Sequence, residues 1–234
     1  MSLVGREFKN LTIKLGPYIC LTSISDELQK ILLNVGNKIR KNKFLKQKND
    51  YRKRLAGNLK EEYSYANAFT PNQRQKVNEE LLWLASNYTK LASEFHNKKY
   101  VCEPDEIFLQ EPIWINYMKQ HEVNPEHTHG GQISWVIFCK NPDITKEQQR
   151  FEGRSPPPGS IVFLYGEPQH PRWANHTFDY QPQENYMWMF PAQLRHQVLP
   201  FHTEGTRITC SGNLYFNAPG TPDAISDKPN SLNE

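Results

Sequence analysis

The sequence has no close cysteine pair, no long apolar run and no internal repeat. Its four cysteines lie at positions 20, 102, 139 and 210, so none forms a C-x-x-C zinc or redox motif. We expect buried free thiols. No segment is apolar over the roughly 20 residues that a membrane-spanning helix needs, and the charged N-terminus lacks the apolar stretch of a signal peptide. These absences predict a cytoplasmic protein that does not contact a membrane.

The composition is that of a globular protein, with 37% hydrophobic and 23% charged residues in a chain of 234. That length suits one domain of the larger all-β kind or two small ones, and we expect one. The net charge is only +3, but residues 38–60 contain ten Lys or Arg against the single Asp50. We interpret this segment first as a solvated helix end and loop, and second as a surface for nucleic acid or an acidic partner.

The N-terminal half has two segments with helical periodicity. Ser25 can cap a first helix whose apolar residues recur at steps of three and four, from Leu28 to Ile39. Thr70 and Pro71 predict the start of a second helix, which continues to about residue 97. Before both, residues 12–24 have the composition of one or two short strands. The apolar stripes of the helices predict packing surfaces and no cofactor site.

From residue 107 the periodicity changes to that of β-strands, with about six apolar runs separated by Pro, Gly and Asn. We predict a mainly β fold with N-terminal helices, in which a double-stranded β-helix, or jelly roll, is buttressed by the helices. Residues 1–216 form one domain in this prediction, with a helical support region over 1–106 and the jelly-roll core over 107–216. Residues 217–234 are rich in Pro, Ser, Asn and Asp and predict a flexible tail.

Two histidines, His127 and His129, lie in the stretch NPEHTHGGQ just before an apolar run. On an extended chain, residues two apart point to the same side, so both imidazoles can reach one point. A third histidine, His196, lies in FPAQLRHQVLP beside another predicted strand. Three ligands on one face of an octahedral metal leave positions free for a substrate and oxygen. A structural zinc site fits less well, because it needs four protein ligands.

Arg207 and Thr209 share one face of the predicted strand RITCSGN. A cationic side chain that points into a β-roll requires an anionic partner. A guanidinium beside a hydroxyl suits a carboxylate. The alternative is an ordinary surface position on a strand.

The runs WINY, NPEHTHGG, FPAQLRHQVLPF and GTRITCSGN, taken in this order, resemble the iron(II)- and 2-oxoglutarate-dependent oxygenases. The resemblance covers about residues 55–216 and is strongest from 112 to 216. It is closest to a branch of the superfamily common in marine phage genomes and is more distantly similar to prolyl hydroxylases. If a phage encodes the chain, the expected location is the cytoplasm of its host.

The resemblance implies roles for individual residues. His127 and His196 match the two metal-binding histidines of the superfamily, and Arg207 with Thr209 matches the pair that holds the distal carboxylate of 2-oxoglutarate. Asn116 and Tyr117 lie where the superfamily often places a polar cosubstrate contact. Strand alternation lets only one of them face inward, and we prefer Tyr117. Asn213 is expected to close the barrel or to form a hydrogen bond near the metal.

His129 departs from the superfamily pattern, because it stands where an aspartate or glutamate is usual. Imidazole is also a good ligand for iron(II), so a three-histidine site is physically reasonable. Glu126 is adjacent but points away from His127 on an extended segment. A site with only imidazole ligands is expected to lose iron at low pH, when the histidines are protonated.

The resemblance further implies iron(II) and 2-oxoglutarate as cofactors and molecular oxygen as a second cosubstrate. The first expectation for the substrate is a protein or peptide side chain, with proline the leading guess. Three residues of the loop 167–185 are candidates for a substrate groove, or else belong to an ordinary polar loop: Arg172, Trp173 and His176.

Three alternatives remain open. A nucleic-acid demethylase of the same superfamily would explain the basic segment 38–60, but such enzymes carry a second arginine shortly after the first and none follows Arg207. A cupin would bind a metal through three histidines without 2-oxoglutarate, but the usual glutamate after H-x-H is absent. The third alternative is a jelly-roll binding module without activity, such as a component of a phage particle.

Overall fold

The structure is a computed structural model, and it describes residues 16–99, 101–166 and 176–216. Two longer helices, two short ones and ten strands make up this part of the chain. In chain order they are β1 (Cys20–Ser23), α1 (Asp26–Lys41), α2 (Lys43–Lys48), β2 (Glu62–Ser64), α3 (Pro71–His96), β3 (Ile107–Lys119), β4 (Asn124–His127), β5 (Ile133–Lys140), α4 (Thr145–Gln149), β6 (Ile161–Leu164), β7 (Thr177–Tyr180), β8 (Tyr186–Pro191), β9 (Arg195–Val198) and β10 (Thr206–Phe216).

The ends of α1 and α3 follow from capping chemistry, and both predicted starts are confirmed. The Ser25 hydroxyl accepts a hydrogen bond from the Leu28 amide at 3.0 Å, which satisfies one of the free amides at a helix start. Thr70 and Gln73 form a reciprocal capping box before α3. That helix ends where Asn97 takes a left-handed conformation with φ of 51°.

The strands form two antiparallel sheets, as the jelly-roll prediction requires. The larger sheet has the order β1-β8-β5-β10-β3-β2 and the smaller has the order β4-β9-β6-β7. From β3 to β10 the chain passes repeatedly from one sheet to the other, which is the connectivity of a double-stranded β-helix. The apolar runs predict six strands in this region, whereas the structure has eight. The two extra strands, β4 and β7, are short and their sequences NPEH and TFDY lack a continuous apolar run.

The larger sheet has two faces with different neighbours. Its outer face carries Tyr63, Ile115, Cys210 and Ile137, which are opposite one another in register and belong to the main apolar core with α1 and α3. Helix α1 lies close to this face at Gly36, where an added Cβ would lie only 2.3 Å from the Cδ1 of Ile115. A larger residue would push the helix off the sheet.

The inner face of the same sheet points into the roll. The register aligns Glu62 with Asn116, Asn116 with Thr209, and Thr209 with Phe138. Residues directly opposite in neighbouring strands point to the same side, so one row of the inner face contains three polar side chains. The sheet therefore packs its apolar side against the helices and turns polar groups inward.

Three further expectations concern the cysteines, membrane-spanning segments and the C-terminal tail. Its cysteines are free, and Cys102, Cys139 and Cys210 are buried as predicted. Among the described residues, no helix has both the length and the apolar character needed to cross a membrane. The tail 217–234 lies outside the described residues.

Candidate metal and cosubstrate site

Strand pairing brings the three predicted histidines together. β4 and β9 run antiparallel with His127 directly opposite His196. His129 follows two residues later, where its amide donates to the Ala192 carbonyl at 2.9 Å. One ring nitrogen of each histidine lies within 4.8 Å of those of the other two. This spacing allows all three imidazoles to reach one ion.

Backbone carbonyls fix the tautomers of two of these rings. The Nδ1 of His127 lies 2.7 Å from the Pro125 carbonyl, and the Nδ1 of His196 lies 2.9 Å from the Leu194 carbonyl. A carbonyl only accepts, so each Nδ1 carries the proton and each Nε2 keeps its lone pair. The Nε2 atoms of His129 and His196 lie 3.3 Å apart. The rings are thus oriented as metal-binding histidines usually are.

Burial keeps these histidines neutral. It lowers the pKa of His129 to about 3 and that of His196 to about 4, and neighbouring imidazoles add to the effect in both. The pKa of His127 is also lowered by burial. Neutral imidazole is the form that binds metals, so all three rings are in the correct protonation state at neutral pH.

Within the part of the chain that the structure describes, no carboxylate completes this group. Among the described residues, the only set of three potential ligands close enough to share an ion is His127, His129 and His196. Glu126 instead pairs with Arg195 at 2.9 Å on the surface. The donor set fits iron(II), for which imidazole is a suitable ligand, and the three-imidazole composition predicted from H-x-H is what the described residues offer.

Arg207 lies in the same cavity as the histidines. The cavity has a volume of about 240 Å³ and is lined by the three histidines, Arg207 and Thr209 among others. Arg207 is only 2% exposed. Its guanidinium lies between Phe138 and Phe201, at 6.0 and 5.4 Å from their ring centroids. A buried cation among aromatic rings and a group of three potential metal ligands therefore line the same cavity.

The guanidinium of Arg207 has no anionic partner within the described residues. Its Nε and Nη1 are buried without any hydrogen-bond partner, and burial lowers its pKa to about 10. Gly159 makes room for it, since a Cβ at that position would lie 2.9 Å from Nη2. A buried unpaired cation is unfavourable, so the site fits a carboxylate ligand such as 2-oxoglutarate.

The structure reverses the preference for Tyr117 over Asn116. Asn116 faces the cavity, and its amide Nδ2 lies 3.5 Å from the Thr209 hydroxyl. Tyr117 points to the outer face, where its hydroxyl donates to the Asn37 side chain at 3.3 Å and its ring lies under Arg40. Alternation lets one of the two face inward, as predicted, but the apolar outer face takes the aromatic ring.

Asn213 does not belong to the cavity wall. Its Oδ1 accepts from the Ser134 hydroxyl at 2.7 Å and its Nδ2 donates to Gln110 at 3.1 Å. Both partners are on neighbouring strands of the larger sheet. Of the two expected roles, the contact near the metal is therefore wrong, and the bonds across the sheet fit the closing of the barrel.

Residues 112–213 match the family described as "Putative 2OG-Fe(II) oxygenase". The matched segment contains the three histidines, Arg207 and Thr209. This segment is just under half of the chain, and over it the sequence is similar to iron(II)- and 2-oxoglutarate-dependent oxygenases. The predicted cofactors, iron(II) and 2-oxoglutarate, are supported by this match and by the three clustered histidines, and the placement within a phage-type branch stays a prediction.

Solved structures with a similar chain path come from distant sequences. A prolyl-4-hydroxylase from Pseudomonas putida is 10% identical, with 85% of this chain and 92% of that chain covered and a TM-score of 0.48. A prolyl hydroxylase from Trichoplax adhaerens, in complex with a hypoxia inducible factor peptide fragment, is 8% identical, with 85% and 82% covered and a TM-score of 0.48. The dioxygenase for auxin oxidation from Arabidopsis thaliana, bound to 2-oxoglutarate, is 10% identical, with 85% and 83% covered and a TM-score of 0.45. No curated protein matches the sequence.

None of the three predicted substrate residues is placed in the cavity wall by the described part of the structure. Arg172 and Trp173 lie outside the described residues. His176 lies just before β7, where its carbonyl accepts from the Tyr165 amide at 2.8 Å, and it does not line the cavity. Its predicted substrate contact is therefore not supported by its position.

Sequence reasoning missed part of the cavity wall, most of it before the segment 112–213 that matches the family. Arg54, Leu55, Ala56 and Glu62 line the cavity, and so does Trp114, whose ring centroid lies 5.8 Å from that of His129. Trp114 was within the run WINY, but an indole on a strand predicts packing as readily as a site. Residues 54–56 belong to the basic segment 38–60, for which the first interpretation is a solvated helix end and loop, and only the three-dimensional structure shows that they line the cavity.

Proposed function

We propose that the protein is an oxygenase that hydroxylates a protein or peptide side chain, using 2-oxoglutarate and oxygen. In the balanced reaction, 2-oxoglutarate, O₂ and a substrate C–H group give succinate, CO₂ and a C–OH group. The observation that carries the proposal is the buried, unpaired Arg207 in the same cavity as His127, His129 and His196.

His127, His129 and His196 would hold iron(II) through their Nε2 atoms, because hydrogen bonds engage the Nδ1 atoms of two of them. Iron(II) held there supplies the activation of oxygen that couples the decarboxylation of 2-oxoglutarate to the oxidation of a C–H bond. The protein supplies position, a low-dielectric surrounding and the charge that binds the cosubstrate.

Arg207 would bind the distal carboxylate of 2-oxoglutarate through its guanidinium, whose Nε and Nη1 have no partner among the described residues. The parallel donor pairs of a guanidinium are Nε with Nη2 and Nη1 with Nη2, so Nη2 and one of these two atoms would match the two oxygens of a carboxylate. The Thr209 hydroxyl lies two residues along the same strand and faces the same cavity. Asn116 lies opposite Thr209 and adds an amide to the wall. These groups would fix the direction in which the cosubstrate extends toward the histidines.

The cavity reaches the surface beside residues 54–56, since Arg54 and Ala56 are exposed and line it. An opening of this kind suits a side chain that enters from a polypeptide bound outside. The apolar surfaces of Leu55 and Trp114 would exclude water from an entering side chain. Proline is the first residue to test, on the strength of the sequence resemblance to prolyl hydroxylases.

The experiment is an incubation with iron(II), 2-oxoglutarate and a library of peptides that differ at one central residue. Succinate is measured in all reactions, and the peptides are analysed by mass spectrometry for the gain of one oxygen atom. We expect succinate formation that depends on both iron(II) and His196, and oxidation of one class of peptide. A protein that binds no 2-oxoglutarate and forms no succinate under any condition would contradict the proposal.

A further inference from the structure

Glu62 is a buried carboxyl group in the cavity that the reaction described above does not use. It is 1% exposed, it lines the cavity, and its Oε2 has no hydrogen-bond partner among the described residues. Its position on the inner face is fixed by the register with Asn116. A buried polar atom without a partner is uncommon in a folded protein and calls for a ligand or another explanation.

Among the described residues, no cation forms an ion pair with the unpartnered Oε2 of this carboxyl group. Arg52 is exposed and pairs with Asp50 at 2.5 Å. Glu122 lies nearby but adds negative charge, and its oxygens already accept from the amides of Lys60 and Lys119. Burial raises the pKa of Glu62 to about 8, and the repulsion from Glu122 adds to the effect. Without a ligand the carboxyl group therefore holds its proton near neutral pH, and its unpartnered Oε2 keeps the capacity to accept a hydrogen bond.

The cosubstrate cannot provide that donor. The two carboxylates and the ketone of 2-oxoglutarate contain acceptors only, and Arg207 supplies the donors that they need. The Oδ1 of Asn116, next to Glu62 in the same row, also lacks a donor. The inner face thus separates into a donor region at Arg207 and an acceptor region at Glu62.

We propose that Glu62 is a specificity-determining residue that accepts a hydrogen bond from an N–H group of the substrate. The inference rests on the proposed function and deepens it, because it names the chemistry of the substrate group that enters the cavity. Two sources supply such a group, namely a basic side chain and a peptide or side-chain amide. Substrate groups without an N–H donor would leave the carboxyl group unpaired and would bind more weakly.

Two substitutions of Glu62 distinguish a basic side chain from an amide as the source of the N–H group. Glu62→Gln cannot ionise but keeps one acceptor oxygen, whereas Glu62→Met removes both acceptors at nearly the same length. The probes are ethylguanidinium for a basic side chain and N-methylacetamide for an amide, with N,N-dimethylacetamide as a probe that has no N–H donor. They are titrated calorimetrically under anaerobic conditions into the full chain loaded with iron(II) and 2-oxoglutarate. Glu79→Met, on the exposed side of α3, is the matched control.

Binding in the millimolar range is expected for probes this small. A basic-side-chain substrate predicts that ethylguanidinium binds at least about tenfold more weakly to both Glu62 variants. An amide substrate predicts that N-methylacetamide binds more weakly to Glu62→Met while Glu62→Gln retains much of the affinity. Equal binding of all three probes, no binding of either N–H probe, or the same affinities in the Glu62 variants and the control would overturn the inference.

Binding of 2-oxoglutarate, measured in the same titrations, keeps this test separate from that of the proposed function. If the wild-type protein binds 2-oxoglutarate and the probes fail, the inference about Glu62 is wrong and the oxygenase proposal stands. If 2-oxoglutarate itself does not bind, the proposed function fails first. Thermal melting of each variant confirms that a loss of probe binding does not come from unfolding.

Discussion

The two faces of the larger sheet differ in how their ionisable side chains are paired. On the outer side, Glu61 accepts from Arg40 at 2.6 Å and from Lys46 at 3.3 Å, and the Arg40 guanidinium lies 4.5 Å from the centroid of the Tyr117 ring. On the inner side, Glu62 and Arg207 are more deeply buried and have unpartnered polar atoms. A charge paired within the chain serves stability, whereas a buried charge left unpaired beside a cavity is available to a ligand.

The largest effect is expected at the metal end of the inner side. Replacing His127, His129 or His196 singly with alanine should lower iron(II) affinity by more than about a hundredfold, since losing only an outer-shell partner of a metal ligand costs about 10- to 100-fold. The measurement is the iron retained after anaerobic desalting, together with a calorimetric titration. His202→Ala is the control, because that ring contacts His121 on the surface. Retention of iron by all three variants would exclude this metal site.

Two arginine substitutions test the difference between the faces directly. Arg207→Met should weaken 2-oxoglutarate binding by about 100-fold or more, because removing one partner of a buried charge pair costs about 2–5 kcal/mol. The same change should leave the stability of the ligand-free protein unchanged or raise it, because an unpaired buried cation is removed.

Arg40→Met should do the reverse. It breaks the ion pair with Glu61 and should lower the free energy of unfolding by about 1–3 kcal/mol, with 2-oxoglutarate affinity unchanged. Calorimetry and denaturant unfolding of both variants give the comparison. If Arg207→Met destabilised the ligand-free protein as much as Arg40→Met does, the description of Arg207 as unpaired would be wrong.

The neighbouring carboxyl groups Glu61 and Glu62 should give opposite pH dependences of stability. For Glu62, whose pKa is raised to about 8 by burial, the folded protein holds the proton more tightly than the unfolded chain does. The free energy of unfolding should therefore fall as the pH rises from about 4.5 to about 8. Glu62→Gln removes this loss and should become the more stable protein by on the order of 5 kcal/mol above that range.

For Glu61, burial raises the pKa, but the hydrogen bonds from Arg40 and its other partners outweigh burial and lower the pKa to about 2. Its contribution is therefore complete above the unfolded pKa and is lost as the pH falls toward 2. Glu61→Gln should be less stable than the wild type at pH 7, with the difference disappearing in acid. The free energy of unfolding of both variants is measured with denaturant over a pH series. If it depended on pH in the same way in Glu61→Gln and Glu62→Gln, the contrast between the two carboxyl groups would be wrong.

Much of this arrangement follows from local sequence patterns. Caps at Ser25 and Thr70 predict the helix starts because a side chain and an amide three residues later suffice to form them. The strand alternation of β10 predicts that Arg207 and Thr209 share a face, and the spacing of His127 and His129 predicts that they converge. Each of these conclusions depends on residues close together in the chain.

The features that the sequence does not predict depend on which face of a strand packs against which neighbouring element. Nothing in the pair Glu61-Glu62 distinguishes the paired carboxyl group from the unpaired one, since the difference arises from α1 on one side and the cavity on the other. Likewise β4 has too few apolar residues to be recognised, although it carries His127. The face assignment of Asn116 and Tyr117 fails for the same reason, because alternation predicts opposite faces but not which one is inner.

The smallest expected effect tests that corrected face assignment. Tyr117→Phe removes a hydroxyl that donates to Asn37 on the outer side and should lower the free energy of unfolding by about 0.5–1.5 kcal/mol. Affinity for 2-oxoglutarate should not change, because the hydroxyl points away from the cavity. Asn116→Ala is the matched inner-side variant and should weaken 2-oxoglutarate binding with a smaller effect than Arg207→Met, since a neutral amide contributes less than a guanidinium. A loss of 2-oxoglutarate affinity in Tyr117→Phe that exceeded the loss in Asn116→Ala would return the cosubstrate contact to Tyr117 and would reverse the two faces of β3.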